Sequence, residues 1–250
     1  MPAHEEEVTR IIDAARQRGT HLRVIGGLAV KLHSPSAEHR GLARTYGDVD
    51  LVGYRHQRKD IARVLEDLGY EPNVRFNTLQ GNRRLLFESE EKGFDVDVFL
   101  DIFPMSHDLD FKDRLEVDEY TVPIEELLLS KLQVVEINDK DIQDTLAMLH
   151  DHEIGEGDSK ELLDSQVITR ITSDDWGWYK TVTLNLDKIR EWTGDFLSGE
   201  KERRLIHERI ERLRNLIEEA PKSLRWKARA RIGEKVQWYN LPEDIAEVHK

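Results

Sequence analysis

Apolar residues recur at intervals of three and four over residues 5–18, where Val8, Ile11, Ile12 and Ala15 share one face and Gly19 follows as a stop. That spacing predicts an amphipathic helix. Residues 22–25 form a short apolar run that reads as a strand, broken by Gly26-Gly27 and followed by a helix over 28–33. A polar loop over 34–45, with Pro35, Gly41, Arg40 and Arg44, leads into a second strand over 47–52. Ile61, Val64, Leu65 and Leu68 predict a helix over 58–68, ended by Gly69. Alternation then predicts a strand over 74–79, a hairpin strand over 83–87, a turn at 90–93 and a return strand over 94–100.

Beyond residue 121 the period changes from two to 3.6. Helices are expected over 124–137, 139–150 with Asn138 as its cap, 162–171, 174–192, 200–220 and from Pro221 to 232, with a loop over 153–158. Trp176, Trp178 and Tyr179 read as packing between these helices rather than as a stacking platform. The outline is an α+β fold: a mixed-sheet domain over 1–120, then a helical domain over 121–250.

Composition narrows the chemistry. A chain of 250 residues with 38% hydrophobic content can bury a substantial core. It has no cysteine, which excludes disulfide scaffolds, zinc–thiolate sites and thiol nucleophiles. No stretch reaches the ~20 apolar residues of a membrane span, and the first residues lack a signal peptide's basic-then-apolar order. A cytoplasmic protein with no membrane partner is the expectation. The net charge of −13 argues against general coating of nucleic acid. Residues 201–235 nevertheless hold 12 basic against 6 acidic side chains, which suggests a face for an anionic partner on an acidic body.

Two stretches carry candidate chemistry. Gly26-Gly27 between a strand and a helix is a turn through which backbone can approach a phosphate, with unpaired N–H groups at the helix start. Asp48 and Asp50, two apart on a strand, project to one face and can converge on a divalent cation. In the strand FDVDVFLD, Val96, Val98 and Leu100 take one face, while Asp95, Asp97, Phe99 and Asp101 take the other. Carboxylates in so apolar a strand need a partner or a metal. Asp97 is the first choice as third ligand, Asp95 the second and Asp101 the third.

Together these residues resemble the nucleotidyltransferase core of the polymerase-beta-like superfamily. Within it, IGGLAVKLH at 25–33, RTYGDVDL at 44–51, LLLSKLQ around Lys131 and KDIQD with Asp141 and Asp144 resemble the AbiEii-type toxins of type IV toxin–antitoxin systems. Lys140 stands where such proteins often carry arginine. The resemblance spans about residues 5–150 and implies transfer of a nucleoside monophosphate from an NTP to a hydroxyl, with a two-metal Mg2+ site (Mn2+ as a substitute) on Asp48, Asp50 and Asp97. It implies that Gly26, Gly27 and Lys131 hold the nucleotide's phosphates, that Arg44 contacts a phosphate or anchors the loop, and that Asp141 and Asp144 support Lys131 or its neighbours. His107 reads as a surface loop residue. The expected acceptor is a macromolecule such as the tRNA 3′ end, docked on Arg225, Lys227, Arg229 and Arg231, and a cognate antitoxin is an expected partner. A small antibiotic-type acceptor and a non-catalytic binding module that keeps the fold are the alternatives.

Overall fold

The computed structural model describes residues 2–39, 41–157 and 162–241, so Arg40 and Asp158 from the loops above lie outside the described residues. The chain opens with α1 (Pro2–Gln17), β1 (Leu22–Ile25), α2 (Gly26–His33), β2 (Val49–Gly53) and α3 (Arg58–Asp67). There follow β3 (Glu71–Pro72), α4 (Val74–Gln80), β4 (Arg84–Glu88), β5 (Val96–Leu100) and a small hairpin of β6 (Ile102–Pro104) and β7 (Asp108–Asp110). The remainder is α5 (Ile124–Leu132), α6 (Asp139–Asp151), β8 (Glu153–Gly155), β9 (Leu162–Asp164), α7 (Ser165–Asp174), α8 (Trp176–Phe196), α9 (Glu200–Glu219) and α10 (Leu224–Ile232).

Five strands form one mixed sheet in the order β1-β2-β5-β4-β3. β2 and β5 run parallel at its centre, and every other neighbouring pair is antiparallel. Central parallel strands need both faces covered, and all five residues of β5 are buried. Helix α2 packs on β1, β2 and α5, while α1 packs on β1 and α3. Val24 bonds through both its N–H and its carbonyl to residues 120 and 122, which extends the sheet edge toward α5. One hydrophobic cluster runs from Val8 in α1 to Ile217 in α9 and draws on strands and helices alike.

Several elements differ from the pattern reading. Residues 74–79 are helical, not a strand, because the Asn73 side chain accepts from the Phe76 N–H and caps a helical turn; Phe76 is then its buried residue. The helix beginning at Ile124 stops at Leu132 rather than 137. Its exit is held by long-range bonds: Asn185 Nδ2 donates to the carbonyls of Leu132 and Val134, and Gln133 Oε1 accepts from the His107 N–H. The loop over 153–157 contributes β8, which pairs in parallel with β9, so the first residues of the helix expected from 162 are strand. The hairpin of β6 and β7 was not visible in the pattern. Asn138 does cap α6, accepting from the N–H groups of Lys140 and Asp141. Trp176 and Trp178 are buried between helices, with Trp176 against Trp238 and Tyr179 against Trp226.

Candidate functional site

The turn from β1 into α2 and the adjacent ends of β2 and β5 form one locus. Ile25 lies opposite Asp50 in the sheet, so Gly26 arrives beside that carboxylate. Gly26 has φ 78, which an L side chain rarely adopts, and a Cβ there would stand 2.7 Å from Asp50 Oδ2. Glycine is required on both counts. Asp50 and Asp97 are paired residues of the parallel strands β2 and β5, so their side chains are neighbours on one face. Asp48 is exposed and lies just before β2 rather than within it.

Among the described residues the Asp50 carboxylate has no hydrogen-bond or ion-pair partner, whereas Asp97 has Arg84. The residue keeps some exposed surface, yet loss of solvent at the carboxyl pushes its pKa up to about 6. The negative charge of Asp97, and then that of Asp48, add to this, and Lys131 opposes it. Asp97 is itself raised, by burial first, although Arg84 works the other way. Arg84 grips both Asp97 oxygens: Nε donates to Oδ1 at 2.6 Å, and its second nitrogen donates to Oδ2.

A second charged group abuts the first. Arg44 binds Asp144 through both nitrogens, at 2.8 and 2.7 Å, and lies 4.5 Å from the Tyr46 ring centroid. Lys131 Nζ sits 2.9 Å from Asp144 and 3.3 Å from Asp141. Burial alone would lower the Lys131 pKa, but the two carboxylates outweigh it and hold the ammonium above its ordinary value. Burial would likewise raise Asp144, and here Lys131 and Arg44 prevail and lower it. Lys131 and Asp144 are therefore both ionised at neutral pH. Gly27 provides the passage for Arg44, since a Cβ there would lie 1.6 Å from the guanidinium Nη2.

The other candidates fall elsewhere. Asp95 is exposed and precedes β5, and its backbone carbonyl accepts from Val49. Asp101 lies past the opposite end of β5 with φ 64, where its side chain accepts from the Arg55 N–H and pairs with the guanidinium. Neither is a register partner of Asp50. His107 is not on the surface: it is buried against Trp178, its Nε2 lies 2.8 Å from Thr181 Oγ1, and burial lowers its pKa to about 4. Sequence reasoning missed Arg84, because Arg83-Arg84 reads as the start of a strand and only the β4–β5 register sets residue 84 beside Asp97.

Of the four basic residues expected to dock an acceptor, two are engaged within the chain. Arg225 pairs with Asp175 at 3.2 Å, and Arg229 donates to the carbonyls of Gly233, Val236 and Gln237 while lying over Trp176. Arg225, Lys227 and Arg231 are all exposed. Among the described residues no three His, Cys, Asp or Glu side chains converge as they stand on a point where an ion could sit. The donor chemistry still fits a hard divalent cation, for it is carboxylate oxygen throughout and includes the partnerless Asp50. A cavity of about 790 Å³ between α1, the end of α2 and β9 includes none of these residues. No helix among the described residues is long and apolar enough to cross a membrane.

No family model matches the chain, and no curated protein matches it. Among solved structures it is similar to the antibiotic-resistance factor ANT(2'')-Ia, whose solution structure is described as revealing substrate-regulated conformation dynamics. The identity is 15% and the TM-score 0.38, over 57% of this chain and 82% of that one. A likeness at that level fixes neither fold nor activity.

Proposed function

We propose that this protein is a nucleotidyltransferase that moves a nucleoside monophosphate from an NTP to an acceptor hydroxyl. The observation that carries the reading is Asp50, a desolvated carboxylate without a cationic partner, set in register with Asp97 beside the Gly26 turn. Such a group is costly to keep charged unless a cation joins it. Asp48, Asp50 and Asp97 would hold Mg2+ (or Mn2+), which when bound supplies charge neutralisation to the transferred and leaving phosphoryl oxygens. The chain's own residues do the rest. Backbone N–H groups at the start of α2, around Gly26 and Gly27, meet the phosphates at the positive end of the helix. Lys131, kept ionised by Asp144 and Asp141, adds a fixed positive charge on the same side. Arg44 braces Asp144 and so holds that lysine in place. As the acceptor oxygen bonds to the α-phosphorus and pyrophosphate leaves, the acceptor's proton passes to the Asp97 carboxylate. The helical part beyond residue 120 thus completes the nucleotide site through α5 and α6.

The resemblance to AbiEii-type toxins points to the 3′ end of a tRNA as acceptor and to a cognate antitoxin as partner. A small hydroxylated acceptor is the second reading. It gains from the internal use of Arg229, whose guanidinium is taken up by three carbonyls, and from the ion pair that Arg225 already makes with Asp175. The test is incubation with each α-labelled NTP and Mg2+, with total RNA in one arm and a panel of aminoglycosides and lincosamides in the other. Label on RNA supports the first acceptor, and label on an antibiotic supports the second. Nucleotide binding without transfer to either, the same for wild type and Asp50→Asn, would leave only a binding module.

A further inference from the structure

Among the described residues Arg84 is the one guanidinium that contacts a carboxylate of the central strand pair. In the β4–β5 register Arg84 faces Phe99 and Leu86 faces Asp97, so Arg84 and Asp97 are diagonal neighbours on one face. The guanidinium spans both carboxylate oxygens, packs 4.6 Å from the Phe99 ring centroid and lies 5.7 Å from that of Phe76. Two aromatic contacts and a two-point bond fix the plane of the Asp97 carboxylate. Each carboxylate oxygen has a second lone pair, so a gripped Asp97 can still face Asp50. Any cation arriving there meets the arginine's charge close by.

We propose that Arg84 is a positioning residue for Asp97: it is the carboxylate's standing counter-ion, orients it toward Asp50, and lowers the affinity for the divalent cation. This rests on the nucleotidyltransferase reading, because it presumes a cation between Asp50 and Asp97. Arginine in this place trades cation affinity for a carboxylate fixed in one orientation. A role confined to stability would make no such trade, since loosening the strand pair would weaken binding of the cation.

The experiment is Mn2+ titration followed by the electron paramagnetic resonance of free Mn2+, on wild type, Arg84→Gln, Arg84→Lys and Asp50→Asn, each checked by thermal melt. Arg84→Gln removes the charge and should tighten Mn2+ by about tenfold. Arg84→Lys keeps the charge but loses the fork; it should bind Mn2+ within about threefold of wild type while kcat for transfer falls and the KM for NTP holds. Native-like folding of Arg84→Gln with Mn2+ affinity unchanged or weaker overturns the proposal. Should that variant not fold, Arg84→Lys decides it, and an unchanged kcat is the overturning result. Wild type that binds no Mn2+, or Asp50→Asn that binds as well as wild type, removes the nucleotidyltransferase reading itself. Binding lost in Asp50→Asn but unaltered in Arg84→Gln removes only the role of Arg84.

Discussion

Replacing Gly27 with alanine tests the geometry on which the site depends, and it does so without any assumption about substrate. The new Cβ would lie 1.6 Å from Arg44 Nη2 and 2.5 Å from its Cζ, so the guanidinium must leave. Leaving costs two charge-assisted bonds to Asp144, at 2.8 and 2.7 Å, and the stack on Tyr46. Breaking a buried ion pair costs about 3–5 kcal/mol. The low end applies, because Lys131 stays on Asp144 at 2.9 Å and keeps it from being stranded. Alanine's better helix propensity returns up to about 1 kcal/mol. The net expectation is a loss of about 2 kcal/mol, which for a chain of this size is a fall of about 4–8 °C in Tm. Urea unfolding of the wild type, Gly27→Ala, Arg44→Ala and the double variant measures the coupling directly. With Arg44 already shortened, only the propensity gain and a 3.0 Å approach to Tyr46 Cε1 remain, so the alanine should be neutral to stabilising by up to about 1 kcal/mol and the coupling energy should be about 2–3 kcal/mol. Additive effects, or a Gly27→Ala midpoint within error of wild type, would show that the guanidinium does not occupy this passage.

Three further outcomes are expected. Asp50→Asn removes a like charge beside Asp97 and should leave the melting temperature equal or higher while metal-dependent NTP consumption falls by at least about 10³-fold; retained turnover would refute the site. His107, with its pKa depressed to about 4 by burial, is neutral when folded but takes up a proton below about 6.5 when unfolded. Its contribution should therefore be fully present above pH 6.5 and be lost as the pH falls toward 4, at about 1.4 kcal/mol per unit and about 3 kcal/mol in all; a His107→Gln variant whose unfolding free energy keeps that slope would contradict the assignment. Arg229→Gln removes three bonds to the carbonyls of Gly233, Val236 and Gln237, one of several anchors of this segment beside Trp238 on Thr181, and should speed hydrogen exchange of the Asn240 N–H that donates to Ser106. Unchanged exchange there would return Arg229 to the set of surface contacts.

Much of this protein is legible in local pattern, because local pattern is what caps, turns and amphipathic faces depend on. The helix of α3 follows from the spacing of Ile61, Val64 and Leu65, and the start of α6 follows from Asn138. The strand around Asp50 and the glycine pair that opens α2 follow from alternation and composition. Local pattern failed where a single side chain reversed the outcome, as when Asn73 turned an alternating segment into α4. It failed again where distant residues took over the backbone's bonds, as when Asn185 closed the end of α5.

The site divides along the same line. Pattern alone marks Asp50 and the carboxylates of FDVDVFLD as unusual, since carboxylates within such apolar stretches need a reason to be there. Of Asp95, Asp97 and Asp101, only Asp97 stands in register with Asp50, a pairing of β2 with β5 between residues 47 apart in the chain that no local preference specifies. The same holds for Arg84 on Asp97 and for Arg44 on Asp144, which lie 13 and 100 residues apart. Residue type is a local property and can be read from the order of amino acids. Which charge neutralises which is settled only when strands choose their partners, because the energy of a charge depends on what has replaced the water around it.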